Sequence, residues 1–264
     1  MASANRFNTY KVISQFAALW PRKLNKPMIE FENTAVVITA NLSGAALPGL
    51  PMVDVAGQPL VARAADNVEK AGLGMVIVAT PDHQVAEFMR KNGRDVLVSP
   101  LRESSINAMA ASVLGMRDKE NKFSHVVVLP CTLASIDALS LRRCLAGLTN
   151  ANVDGATLAG PVGAQSVWRL DAPLEGEREV AWLRSVSQEV GGRAHIPVYA
   201  WHRAALNTFA AASHGAKHGP VAHELALALA AGLHIAAVKV DSMPLNVDTA
   251  QNLEELRRIM RNQS

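Results

Sequence analysis

From Val36 to Leu148, short β-rich runs and helical runs take turns, and that alternation leaves few architectures open. Val36–Ile38 reads as a strand from its β-branched residues, and Pro59–Ala71 as a helix that Gly72 ends. Met75–Ala79 reads as a strand, followed by a helix over Gln84–Asn92 that Gly93 stops. Val96–Val98 (strand), Ile106–Met116 (helix), Val126–Leu129 (strand) and Ser140–Leu148 (helix) keep the rhythm. Strands and helices alternating in this way predict an α/β fold, with a mostly parallel sheet and helices on both faces. Farther on, Ala156–Ala159, Ile196–Trp201 and Ile235–Val240 read as strands, and Arg203–Ala212, His223–Gly232 and Thr249–Met260 as helices. Gly160–Gly192 is rich in acids and shows few clear periods, so it is expected to be a surface excursion or a small subdomain. No internal repeat is visible.

The bulk numbers narrow the class. The chain has 264 residues, 49% of them apolar, enough for a substantial core. A net charge of +3 gives no footprint for a nucleic-acid partner. Cys131 and Cys144 lack metal-like partners at close spacing and fit a reducing, cytoplasmic setting. No apolar run approaches the ~20 residues of a spanning helix.

Residues 1–31 stand apart as an N-terminal extension of the domain at 32–264. Arg6, Lys11, Arg22, Lys23 and Lys26 all precede the first acid, Glu30. Phe7, Tyr10, Ile13, Phe16, Ala17 and Trp20 recur at helical spacing, so residues 5–20 are expected to form one amphipathic helix that Pro21 stops. Three readings stay open: packing on its own domain, docking on a partner protein or peripherally on an anionic membrane through residues 5–26, and a cleaved targeting peptide.

The segment Val36–Leu60 has the outline of a phosphate-handling loop. A buried strand runs into Gly44, Pro48 and Gly49, then into a second apolar run. Yet no Lys or Arg lies between Thr39 and Met52.

Several segments together resemble one family, the 3-deoxy-manno-octulosonate cytidylyltransferases (CMP-KDO synthetases). They are LPGLPMVDVAGQPL (47–60), MVIVATPD (75–82), HVVVLPCTLASIDALSLRR (125–143), DGATLAGPV (154–162), HIPVYAWHR (195–203) and HIAAVKVDSMPLNVDTAQNLEELRR (234–258). They occur in family order and cover most of residues 34–260. The resemblance implies a GT-A-like, Rossmann-related nucleotidyltransferase fold and transfer of CMP from CTP to a sugar acid with Mg²⁺. It also implies where the site would lie. The family loop PAR-x-x-[ST]-T-R-LPGKPL puts its first Arg on Asn41, its second on Ala46 and its Lys on Leu50, with Gly44 in the same loop. The metal motif QGD-x-P falls on residues 130–134, with its Asp on Thr132. The SGT-[DE]-R motif falls on residues 104–108, with its Arg on Ala108. Asp248, in NVDT, keeps a family metal-ligand position, and His195 and Tyr199 keep positions that line the sugar-acid side.

These departures carry a cost for catalysis. Cytidylyl transfer asks the protein for positioning and for neutralisation of charge. A charge-assisted hydrogen bond contributes roughly 1.5–3 kcal/mol, so losing three cations removes on the order of 5–9 kcal/mol if they add. One carboxylate and a Thr hydroxyl replace two carboxylates poorly for Mg²⁺. The expectation is a catalytically altered or inactive relative, a pseudoenzyme that acts as a binding or regulatory module tied to envelope lipopolysaccharide synthesis. It would need no resident cofactor. Its partner would be another protein, a second copy (the family commonly forms homodimers) or a modest anionic or sugar ligand. The runner-up is an active cytidylyltransferase with a rearranged site and Mg²⁺. Its cations would come from Arg102, Arg142, Arg143 or Arg184, or from a partner subunit.

Other residues have plainer readings beside the functional one. Asp248 is a relic metal ligand or the cap of the helix near Thr249. His195 and Tyr199 line a pocket or sit satisfied in the core. His214, His218 and His223 suit a surface loop better than a metal site. Ser104 and Ser105 contact phosphate or cap the next helix. Cys131 is expected to be an inert thiol, and Ser43 lacks a catalytic His–Asp arrangement. The cleft between residues 39–50 and Cys131–Ala134 is expected to be apolar, approached by Leu42, Leu50, Leu133 and Ala134.

Overall fold

The computed structural model describes residues 29, 31–43, 47–100, 105–149, 152–163, 168–188, 192–215 and 224–261, except for the side chains of 214 and 215. The helix expected over residues 5–20 lies outside them, as do Gly44, Ala46, Arg102, Ser104, His218 and His223.

The parallel half of the sheet is built from β1 (Thr34–Thr39), β4 (Met75–Thr80), β5 (Val96–Val98) and β6 (His125–Pro130). Between β1 and β4 lie a small hairpin, β2 (Asp54–Val55) with β3 (Gln58–Pro59), and helix α1 (Leu60–Glu69). Helix α2 (His83–Lys91) follows β4, α3 (Ile106–Arg117) follows β5 and α4 (Ala138–Ala146) follows β6. The second half adds β7 (Gly155–Gly160), β8 (Arg169–Asp171), β9 (Val180–Trp182), β10 (Ser185–Ser187), β11 (Arg193–His202), α5 (Arg203–Gly215), α6 (Glu224–Ala230), β12 (Ile235–Lys239) and α7 (Ala250–Arg261).

Among the described residues ten of these strands, all but β2 and β3, form one sheet, whose main path runs β5-β4-β1-β6-β11-β7-β12-β9. β4, β5 and β6 run parallel to β1, and β12 is parallel to β7. β11 is inserted antiparallel between β6 and β7. The parallel strands therefore end on one edge of the sheet, and the loops leaving them gather there.

The β1 sequence shows why the sheet is covered on both faces. Val36 and Ile38 face one core, with α1, α2, α4 and α7; Ala35 and Val37 face the other, with α3, α5 and α6. All four side chains are fully buried. A strand buried on both faces has to be apolar at every position, and this one is.

Gly160–Gly192 departs from expectation. It supplies β8, β9 and β10, and Leu170, Leu174, Ala181 and Leu183 are buried in the second core. It belongs to the body of the domain. Strands of three residues are too short to show a period, which is why the sequence reads as irregular.

Candidate functional site

The site is assembled at the carboxyl edge of the parallel strands. After β1 the chain turns sharply: Asn41 Oδ1 accepts from the Ser43 amide at 2.9 Å. The Leu42 amide donates to Asp82 Oδ2 at 2.7 Å, so the residue after β4 tethers the β1 loop. The Gly49 amide donates back to the Leu42 carbonyl at 2.9 Å. Gly49 has φ +77°, a left-handed turn that glycine makes without strain. The chain then enters a 3₁₀ turn over Leu50–Met52.

That turn drives Leu50 into the first core, where it is 2% exposed. Leu133 and Ala134 are buried in the same core, and Leu42 packs against it. The residues expected to line an apolar cleft instead fill the space under the loop. These side chains are apolar, and an apolar surface gains by leaving water.

A second strap closes beside the first. The 3₁₀ turn Cys131–Leu133 follows β6. The Thr132 carbonyl accepts from the Val247 amide at 3.0 Å. The Ser135 hydroxyl donates to the Leu245 carbonyl at 3.2 Å and accepts from its amide at 3.0 Å. The segment 245–248 is thereby zipped to 132–135, which brings Thr132 and Asp248 side by side in the fold.

Asp248 is already engaged. Its Oδ1 accepts from Asn252 Nδ2 at 2.7 Å, and its Oδ2 from Asn246 Nδ2 at 3.4 Å. Asn252 Nδ2 also donates to the Asn246 carbonyl at 2.9 Å. The cap of α7 is Thr249, whose hydroxyl accepts from the Asn252 amide at 3.1 Å, so the capping role expected of Asp248 belongs to its neighbour. Among the described residues no group of three or more His, Cys, Asp or Glu is placed to hold a metal ion. Mg²⁺ takes hard oxygen donors in near-octahedral geometry. Two carboxylate oxygens that each already accept an amide hydrogen bond, beside one hydroxyl, are a poor fit to it.

His195 and Tyr199 flank an irregularity in β11, where pairing to β7 jumps between Ile196 and Tyr199. Their rings are 5.5 Å apart. The fully buried Thr157 hydroxyl fills the irregularity and donates to the Val198 carbonyl at 2.9 Å. His195 Nε2 sits 3.1 Å from that same oxygen, and with the hydroxyl proton spent the imidazole is the donor. Tyr199 is 3% exposed, a core residue rather than a pocket wall. Burial, with Glu224 and Cys144 as lesser causes, raises its phenol above the ordinary range. Burial likewise pushes the Cys131 thiol up to about 12, the state of an inert residue.

Behind Tyr199 lies a polar cluster that the sequence did not announce. The half-buried Glu224 carboxylate accepts from the Ile106 amide at 2.6 Å and from the Asn107 side chain. Asn107 Oδ1 accepts from Trp201 Nε1 at 2.8 Å. Ser105 caps α3, its oxygen accepting from the Ala108 amide at 2.9 Å.

Comparison with known proteins bears on this arrangement. The MobA-like NTP transferase domain matches residues 51–228. A 3-deoxy-manno-octulosonate cytidylyltransferase of Mesorhizobium japonicum is 30% identical over 87% of this chain and 100% of its own length. The chain belongs to this cytidylyltransferase family. An enzyme of the same name from Agrobacterium fabrum is 31% identical over 88% of this chain and 96% of its own. Among solved structures, a CMP:2-keto-3-deoxy-manno-octonic acid synthetase complexed with CTP matches with TM-score 0.74 and 20% identity, over 88% of this chain and 99% of that one. UDP-glucose pyrophosphorylase complexed with UDP-glucose matches with TM-score 0.64 and 12% identity, over 88% and 99%. The α/β nucleotidyltransferase fold with its mainly parallel sheet is therefore that of the family.

Three of the positions that the sequence resemblance assigns can be placed in the fold. Leu50, at the lysine position, is inside the core. Thr132 and Asp248, at the two metal positions, are adjacent through the 132–247 backbone bond. Two of the alternative cations are engaged within the domain. Arg142 Nε donates to the Ala71 carbonyl at 2.9 Å, and Arg143 lies 3.5 Å from Asp241. Asp82, Thr157, Asn246 and Asn252 were not singled out from the sequence. Asp82 carried the one available signal, an acid directly before a helix; it reads as a cap, but its carboxylate reaches the neighbouring loop.

Proposed function

We propose that this cytidylyltransferase-family protein has given up CMP transfer and acts by binding, as a regulatory module linked to envelope polysaccharide synthesis. The observation that carries the reading is the internal engagement of Asp248. The one carboxylate retained at the family's metal positions has its oxygens satisfied by Asn252 and Asn246, beside a threonine where the family has its second acid. The burial of Leu50 supports it, since a side chain held in the core offers nothing to a triphosphate. A scaffold kept with its charges removed suits recognition of a protein partner, an active relative, a second copy of the chain, or a weakly anionic sugar ligand.

The test is direct. The purified chain is incubated with CTP, KDO and Mg²⁺, and CMP-KDO is measured alongside the thermal shift with CTP and Mg²⁺. No product and no shift are expected. Turnover of about 1 s⁻¹ or above overturns the reading and restores an active cytidylyltransferase with a rearranged site.

A further inference from the structure

The amino edge of the sheet, away from Thr132 and Asp248, holds two histidines side by side. His125 opens β6 and His202 closes β11, and they are register partners across this antiparallel pair. Directly opposed residues project from the same face of a sheet, with Cβ atoms about 4.5–5.5 Å apart. The two histidines share strand parity with Val127, Leu129, Val198 and Ala200, all in the first core. The pair therefore lies on that face, at its margin, where both residues are half-buried and within reach of solvent.

The rings are tilted at 53°, with centroids 5.2 Å apart. Two imidazoles converging on one tetrahedral ion through bonds of about 2.0–2.1 Å bring their centroids to about 5 Å. The spacing suits a chelating pair. Each ring also has one nitrogen held from outside. Ser124 Oγ donates to the Asn33 carbonyl at 3.5 Å, so at 3.1 Å it accepts from His125 Nδ1, and Nε2 keeps its lone pair. His202 is hydrogen-bonded to the Leu148 backbone in the sense that raises its pKa, so the ring donates and the carbonyl accepts. Its other nitrogen keeps a lone pair. An outer partner that fixes tautomer and orientation is what metal-binding histidines have. Burial lowers both pKa values, His125 to about 4, so protons do not occupy those lone pairs at pH 7. The Asp154 carboxylate acts on His202 with a charge that favours a cation.

We infer that His125 and His202 form a binding site for one divalent transition-metal ion of the zinc class. Among the described residues no third His, Cys, Asp or Glu completes the set, so water fills the remaining positions. Imidazole nitrogen suits zinc, nickel and copper(II), whereas Mg²⁺ takes oxygen donors. The ion ties β6 to β11, the junction where an antiparallel strand enters the parallel half of the sheet. What the carboxyl edge binds does not enter into it.

Long-range ¹H–¹⁵N NMR of the imidazoles in the full-length chain, titrated with zinc chloride at pH 7, tests the inference. Ring nitrogens of His125 and His202 should move together along one binding curve. His202→Gln should weaken zinc binding at His125 at least about tenfold, the loss that even an outer partner's removal can cause. The two signals of the native chain carry the test if that variant does not fold. Zinc that shifts other histidines and leaves these two in place would overturn the assignment, as would a shift at only one of them. So would an undiminished His125 response in His202→Gln, or equal shifts with magnesium chloride, which would mark an effect of ionic strength.

Discussion

Glu224 and Ile106 are joined by a 2.6 Å hydrogen bond across 118 residues of chain, so the carboxylate at the start of α6 closes the first turn of α3. Burial raises the Glu224 pKa to about 7, against the opposing pull of Ser105, Ile106 and Asn107. A raised carboxylate pKa means the folded state holds the proton more tightly than the unfolded one. Its contribution is complete below about pH 4.5, falls as pH rises, and is gone above about pH 7. Over that window the loss is on the order of 3 kcal/mol. Melting temperatures measured from pH 4.5 to 8 should therefore decline less steeply in Glu224→Gln than in the native chain. Identical slopes would remove Glu224 as the cause.

His125 and His202 form a second titrating pair, with ring centroids 5.2 Å apart at the opposite edge of the sheet. Burial first, then the charge of His202, lowers the His125 pKa to about 4. His202 is lowered too, again by burial first. Here the sign reverses: both residues favour the fold above about pH 6.5, and that contribution is lost as pH falls toward 4. Replacing His202 with Gln should move the His125 pKa upward in an NMR titration of the imidazole signals. No movement would show that the two rings do not sense each other.

Asn252 is 5% exposed, and one amide serves both Asp248 and the Asn246 carbonyl. Asn252→Ala leaves two acceptors without a donor and should destabilise by about 1–3 kcal/mol. Thr249→Ala removes the helix cap and should cost about 1 kcal/mol. Urea unfolding of the two variants should rank them in that order; the reverse order would mean the carboxylate finds other donors.

The Asp82 tether can be read one amide at a time. Asp82→Ala should speed hydrogen exchange at Leu42, while Asp82→Asn, which keeps an acceptor oxygen, should slow it back toward the native rate. Unchanged exchange in Asp82→Ala would mean that the 2.7 Å bond does not hold the loop.

Gly155 lies under Trp201, where an added Cβ would come within 2.6 Å of the indole ring. Gly155→Ala should cost about 1–3 kcal/mol through overpacking and shift the near-ultraviolet signal of the buried tryptophan. A variant as stable as the native chain would show that the ring has room to move.

The helices were legible from apolar spacing repeated over several turns, and the parallel strands from dense β-branched runs set between them. The expected run Ile106–Met116 differs from α3 by one residue, and Val96–Val98 coincides with β5. What the sequence concealed were long-range partners. Glu224 stands at the start of its own helix, where an acid is ordinary; nothing local reveals that it serves α3. Asp248 and Thr249 are adjacent residues that both cap well, and only the backbone geometry separates cap from carboxylate anchor. The fate of Leu50 was hidden too, since the family position marks a residue facing a ligand, and the 3₁₀ turn sends leucine the other way.

Leu50 also bears on whether the change could be undone. Burying a leucine side chain contributes about 1.5–3 kcal/mol. A lysine placed there would forfeit that gain before meeting any phosphate, and the nearby position 132 would offer it a threonine, not an acid. The route back to a charged loop therefore descends in stability at its first step. On the proposed reading Leu50 works as a ratchet: leucine makes the domain sturdier, and any step toward a charged loop begins with a loss of stability.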